Sequence, residues 1–140
     1  MSSALEAAVG ALFRPAGHAL GIVVVGAAEP PALALLERAL EAEGLSPARR
    51  LARLRPRAGE PDVRAEDACF FLERYGHEYA LAWIAPPGKG DQLGFLVEVA
   101  ARARAEGAKV VVDTTGTDIA AAAVSPGCDL VASGGRVVDV

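Results

Sequence analysis

The sequence predicts a three-layer α/β domain, a doubly wound parallel sheet of about five strands with helices on both faces. Three observations predict it. Short β-branched runs alternate along the chain with helical patterns, the signature of parallel strands joined by crossover helices. Those runs are apolar almost throughout rather than alternating, as strands buried on both faces are. Glycine and proline punctuate the joints between them. Right-handed crossovers then leave few topologies, and the order 2-1-3-4-5 is the expectation. The 140 residues suit one domain: residues 1–17 as an N-terminal helix and linker, residues 18–140 as a single α/β unit.

Residues 2–13 read as a helix, with Leu5, Ala8, Val9, Leu12 and Phe13 on one stripe. Ser3 and Glu6 have the spacing of a capping box. Residues 19–25 form the first strand. Pro30 and Pro31 suit the first turn of the next helix, residues 32–43, which Gly44 stops. Residues 49–54, RRLARL, give a weak second strand. After a polar loop, residues 66–75 are helical with Ala68, Phe71, Leu72 and Tyr75 inward. YALAWI at 79–84 is the third strand, residues 93–105 the next helix, and 109–112 the fourth strand. Thr117 or Asp118 caps a short alanine-rich helix through Val124. Residues 130–133 are the fifth strand. Gly134 and Gly135 make a two-residue hairpin turn into a sixth, antiparallel edge strand, 137–140. The whole is a flavodoxin-like layout.

Composition excludes several classes. At 52% hydrophobic and 23% charged, the chain is a folded domain and not a disordered one. Aromatics are 5%, so alanine and aliphatic side chains fill the core and Trp83 reads as core. A net charge of −4 argues against nucleic-acid binding, which rests on phosphate neutralisation. Cys69 and Cys128 form no metal-type cluster and read as reduced, buried thiols. His18 and His77 are isolated, so no metal site is expected. No signal peptide is visible and no apolar run approaches the roughly 20 residues of a membrane span. A cytoplasmic protein is expected.

The stretches VVVGAAEPPALALLERALEAEGL, YALAWIAPPGKGDQLGFLVEVAARARAEGAKVVV and GCDLVAS together resemble a response-regulator receiver domain, from about Ile22 to Ser133. In that family an acidic pair after the first strand holds Mg²⁺, and an aspartate after the third accepts the phosphoryl group. A hydroxyl after the fourth strand and a lysine after the fifth contact the phosphoryl oxygens. Here Ala27 and Ala28 stand at the acidic pair and Ala85 at the acceptor. Thr114 or Thr115 matches the hydroxyl. Ala132 and Ser133 occupy the place before which no lysine follows. Alanine offers no oxygen to a hard cation or to phosphorus. The resemblance therefore implies a pseudo-receiver: a phosphorylation-independent signalling or scaffold module that acts on a protein partner or a second copy of itself, and it leaves an enzymatic activity open. It implies no cofactor.

Other constellations point elsewhere. Asp113-Thr114-Thr115-Gly116-Thr117-Asp118 resembles the Asp-Thr-x-Gly switch of GTP-binding proteins and the DTTGxGD loop of ribokinase-like sugar kinases, and matches neither completely. Gly88-Lys89-Gly90-Asp91 lacks the spacing and hydroxyl of a phosphate loop. The plain reading is a turn closed by threonine hydroxyls. Even so, Gly26, Gly88, Lys89, Gly90, Asp113, Thr114 and Thr115 fall at carboxyl ends of strands, where open α/β sheets bind ligands. Free backbone N–H groups and Lys89 could hold an anion there. That makes a small-molecule or nucleotide/phosphate-binding domain the alternative. Arg49, Arg50 and Arg53 open a basic run that suits either a solvated edge strand or a docking surface for an acidic partner. A third expectation is a structural subunit of a larger assembly that pairs through the terminal edge strand or the N-terminal helix, so that truncating residues 1–14 dissociates an oligomer while the domain stays folded. A receiver ends with a fifth helix and this chain with a hairpin, so the N-terminal helix is also expected to cover the sheet face left vacant.

Overall fold

The structure is a computed structural model that describes residues 4–13, 21–27 and 30–138. In chain order the elements are α1 (Ala4–Phe13), β1 (Gly21–Val25), α2 (Pro30–Ala42), α3 (Pro47–Arg50), β2 (Leu51–Leu54) and α4 (Ala65–Tyr75). There follow a 3-10 turn (Gly76–Glu78), β3 (Tyr79–Ile84), α5 (Gln92–Ala105), β4 (Lys109–Asp113), α6 (Ala121–Val124), a second 3-10 turn (Ser125–Gly127), β5 (Leu130–Ser133) and β6 (Arg136–Val137). The six strands form one sheet in the order β2-β1-β3-β4-β5-β6, with only β6 antiparallel. The order of the first five is the expected one and is consistent with a flavodoxin-like layout.

Register explains the two-sided core. Val24 pairs with Trp83, and Trp83 with Val111. Side chains alternate between faces along a strand, so this row points to one side. There it meets Leu5, Val9 and Phe13 of α1 and Leu36 and Leu40 of α2. The intervening row, Val23, Ala82 and Val110, points to the other side, together with the paired Val112 and Val131. It meets Leu72 of α4 and Leu96, Val99 and Ala103 of α5. Every residue of β1 is buried, which is why that strand is β-branched and unbroken by polar residues. The N-terminal helix is thus part of the core: its Leu5, Val9 and Phe13 are no more than 2% exposed.

Several local expectations change. Arg49 and Arg50 lie in α3, entered through Pro47, so the strand they were expected to open starts only at Leu51. In α4, Ala68 and Leu72 are buried but Tyr75 is 43% exposed. Its ring packs against Phe71 with centroids 5.2 Å apart and planes tilted by 46°. Neither Thr117 nor Asp118 caps α6, which begins after Ala120 with no side-chain cap. The Thr117 hydroxyl donates instead to the Thr114 carbonyl at 2.8 Å and accepts from the Ile119 N–H at 3.2 Å. Asp91 caps α5 by accepting the Gly94 N–H at 2.8 Å. Gly134 and Gly135 both have positive φ, 59° and 81°, as a two-residue hairpin needs. Ser3 of the expected capping box, residues 19–20 of the expected first strand and 139–140 of the expected last one lie outside the described residues. No described helix is long and apolar enough to cross a membrane.

Candidate functional site

The strand ends first show where receiver chemistry would have to be. Ala27 is exposed; Ala28 lies outside the described residues. Ala85 is buried, and its N–H donates to the Val25 carbonyl at 2.8 Å, so it continues the pairing of β1 with β3. Thr114 is also committed to the sheet: its N–H donates to the Ala132 carbonyl at 2.8 Å, and its hydroxyl points to the same oxygen at 3.4 Å. Among the described residues, no group of three His, Cys, Asp or Glu side chains could hold a metal ion.

A cavity of about 380 Å³ opens where α1 and α2 cover the carboxyl ends of β3, β4 and β5. Its size falls near the lower end of small-molecule pockets, roughly 300–1,000 Å³. Leu5, Pro31, Leu35 and Ala132 make an apolar wall, and Arg38 stands among the lining residues. The polar side comes from strand parity. Asp113 is two residues beyond Val111 on β4, so it shares the face of Trp83. Both Trp83 and Asp113 line the cavity.

The loop after β4 is built to hold that carboxylate. The Thr115 N–H donates to Asp113 Oδ1 at 2.9 Å, and Gly116 turns the chain with φ of 79°. The Thr115 hydroxyl accepts the Gly134 N–H at 2.8 Å and ties the loop to the β5–β6 hairpin. Asp113 is 5% exposed. Asp113 Oδ2 receives no hydrogen bond from the described residues. Arg38 pairs with Glu6 at 3.2 Å across α1 and α2. Its side chain is half exposed, so the pair contributes at most about 1 kcal/mol.

Trp83 carries the unusual feature. It is 1% exposed, and its Nε1–H has no hydrogen-bond acceptor. No other buried side-chain nitrogen or oxygen among the described residues lacks a partner. Leaving such a donor unpaired costs about 1–3 kcal/mol. The expectation that Trp83 is core is met for its ring, but its polar edge is not satisfied by the fold. The sequence does contain the signal: an indole on an inward strand position, one residue before the strand ends, on the same face as Asp113.

The remaining strand-end candidates do not join this site. Gly26 has φ of 94° and packs on the Ala85 carbonyl. It lines a separate cavity of about 240 Å³ with Arg53, Arg55, Asp62 and Phe95. The Gly88 N–H, offered as an anion donor, is taken by Asp62 Oδ1 at 2.9 Å. Lys89 borders a groove with Arg64, Glu60, Asp62, Asp91 and Glu98, in which carboxylates outnumber cations four to two, a poor setting for an anion. Gly90 is an exposed turn residue with φ of 85°. Of the seven expected ligand residues, only Asp113 and Thr115 meet around the cavity beneath α1 and α2. Arg49 and Arg50 are exposed on α3, and Arg53 is exposed on the edge strand β2, where charge discourages sheet-to-sheet pairing. Both cysteines are free thiols; Cys128 is buried as expected, whereas Cys69 is only partly buried.

No protein-family model matches the sequence, and no curated protein matches it.

Proposed function

We propose that this flavodoxin-like domain binds a small molecule in the cavity between α1, α2 and the ends of β3–β5, and that it performs no phosphotransfer. One observation carries the reading: Asp113, Thr115 and Trp83 line a single cavity of about 380 Å³ at the carboxyl ends of β3–β5, and the buried Trp83 Nε1–H has no acceptor in the fold. A fold retains an unsatisfied buried donor against a cost of about 1–3 kcal/mol. Such a group calls for an explanation, and a cavity with a few convergent polar groups at the carboxyl ends of the strands is where an open α/β sheet takes a ligand. The alanines at positions 27 and 85 support the second half of the proposal, since neither can bind metal or phosphorus.

The test is a screen of chemically diverse small fragments read on the Trp83 indole N–H resonance. At least one class should shift it saturably, and Asp113→Ala should weaken that class at least tenfold. A screen in which no fragment shifts the resonance contradicts the reading.

A second reading is a pseudo-receiver that acts through a protein partner without phosphorylation. It is supported by the exposure of Phe70 on α4 and Val97 on α5, 62% and 48%, on the two helices that pack together on the other face. Large exposed apolar side chains there suit a contact surface. Phe70→Ser with Val97→Ser should then abolish partner capture and leave small-molecule binding intact.

A further inference from the structure

We infer that the open edge of the sheet at β2 is a docking site for an acidic protein segment. The segment adds to β2 as an extended strand and sets carboxylates at alternate positions against Arg53 and Arg55. This surface is separate from the cavity beneath α1 and α2 and does not depend on it.

The sheet order leaves β2 with one neighbouring strand, β1. On its other side, residues 52–56 make no backbone hydrogen bond among the described residues. No residue of β2 is buried, whereas every residue of β1 is. A row of free N–H and C=O groups is a template for a further strand, and adding an extended peptide to such an edge is a recurring mode of recognition.

Charge names the occupant. Five arginines and no acidic residue stand between positions 49 and 57, in a chain whose net charge is −4. Arg57 is spent on Asp67, with two contacts of 2.7 Å. Arg49, Arg53 and Arg55 are exposed and make no ion pair or side-chain hydrogen bond among the described residues. Strand alternation sets Arg53 and Arg55 on one face, and Pro56 favours extended backbone at Arg55. An incoming strand meets them with its own alternate positions. Opposite charges stabilise such cross-strand pairs and like charges destabilise them. The same rule disfavours a second copy, because β2 would meet β2 with arginine and the opposite edge strand, β6, carries Arg136. Guanidinium forks suit carboxylates bidentately. Nucleic acid fits less well, since the stretch has no aromatic side chain to stack a base. A lipid surface fits less well, since Leu51 and Leu54 pack on the core. Neither of these would use the free backbone edge.

Labelled probes test this on the full chain by fluorescence anisotropy. They are the peptide Thr-Glu-Val-Glu-Val-Glu-Thr, its counterpart with lysine for glutamate, and the acidic peptide N-methylated along one edge, which keeps the charge and blocks backbone pairing. A thymidine oligonucleotide and phosphatidylserine vesicles complete the set. The acidic peptide should bind at least tenfold tighter than the lysine and N-methylated peptides, and the backbone amides of residues 52–55 should gain protection from hydrogen exchange. Arg53→Glu with Arg55→Glu, at two exposed positions, should weaken it at least tenfold, with circular dichroism confirming the fold. Lys109→Glu, an exposed cation at the amino end of β4, should leave the affinity unchanged. Equal binding of the N-methylated peptide overturns strand addition. Tighter binding of the oligonucleotide or the vesicles overturns the protein partner, and binding of no probe overturns the docking site.

Discussion

Gly26 illustrates how one residue can be required by geometry alone. Its φ of 94° lies in the region that side chains disfavour, and an added Cβ would press on the Ala85 carbonyl. Gly26→Ala should therefore destabilise the domain by about 2 kcal/mol or more, measured by denaturant unfolding. The sequence marks this glycine only as a strand-end residue, because its clash is with a strand 59 positions later in the chain, brought beside it by the β1–β3 pairing. Cys128 makes the second residue-scale prediction. Burial pushes its thiol up, with Asp129 adding to the effect. A thiol whose folded value is raised stabilises the fold fully below its unfolded value, about 8.5. That contribution is lost as pH rises through the higher folded value. Stability should accordingly fall on the alkaline side of about pH 8.5, and Cys128→Ala should flatten part of that slope in urea titrations across pH.

At the scale of elements, α1 is where sequence and structure diverge most usefully. Its apolar stripe is plain in the sequence, and so is its helical period. What the period does not say is whether the stripe meets the domain's own sheet or another subunit. The structure answers that: Phe13, Leu5 and Val9 pack with Trp83 and Val111. The expectation that this helix covers the open sheet face is met, and the expectation of a removable helix is replaced. Phe13→Ala should cost about 3–5 kcal/mol, and deletion of residues 1–13 should unfold the domain rather than merely dissociate an oligomer, as circular dichroism would report. The strands β1, β3, β4 and β5 were legible to within a residue or two because continuous β-branched runs leave few alternatives. The start of β2 was not. Arg49 and Arg50 are good helix formers, and Pro47 nucleates a helical turn before them. The short α6 defeated a capping argument, because Thr117 spends its hydroxyl on the turn that precedes it.

Across the whole molecule, the sheet order was legible from the alternation of elements and the handedness of crossovers. The site was legible only in part. Asp113 and Thr115 announced themselves at a strand end, but glycines at other strand ends serve other loops, and the sheet separates them. Trp83 looked like filler because hydropathy records its ring and not the direction of its one donor. The same whole-molecule view predicts chemical silence toward phosphodonors. Incubation with acetyl phosphate and Mg²⁺ should leave the intact mass unchanged, since the tips of β1 and β3 carry alanine at positions 27 and 85. The central claim, a ligand site in the cavity lined by Trp83, Asp113 and Thr115, is tested most directly by a crystal structure of the protein soaked with the tightest-binding fragment of the screen. The account predicts the fragment in the cavity beneath α1 and α2, within hydrogen-bond reach of Asp113. A structure in which side chains close the cavity and the fragment binds elsewhere would contradict it.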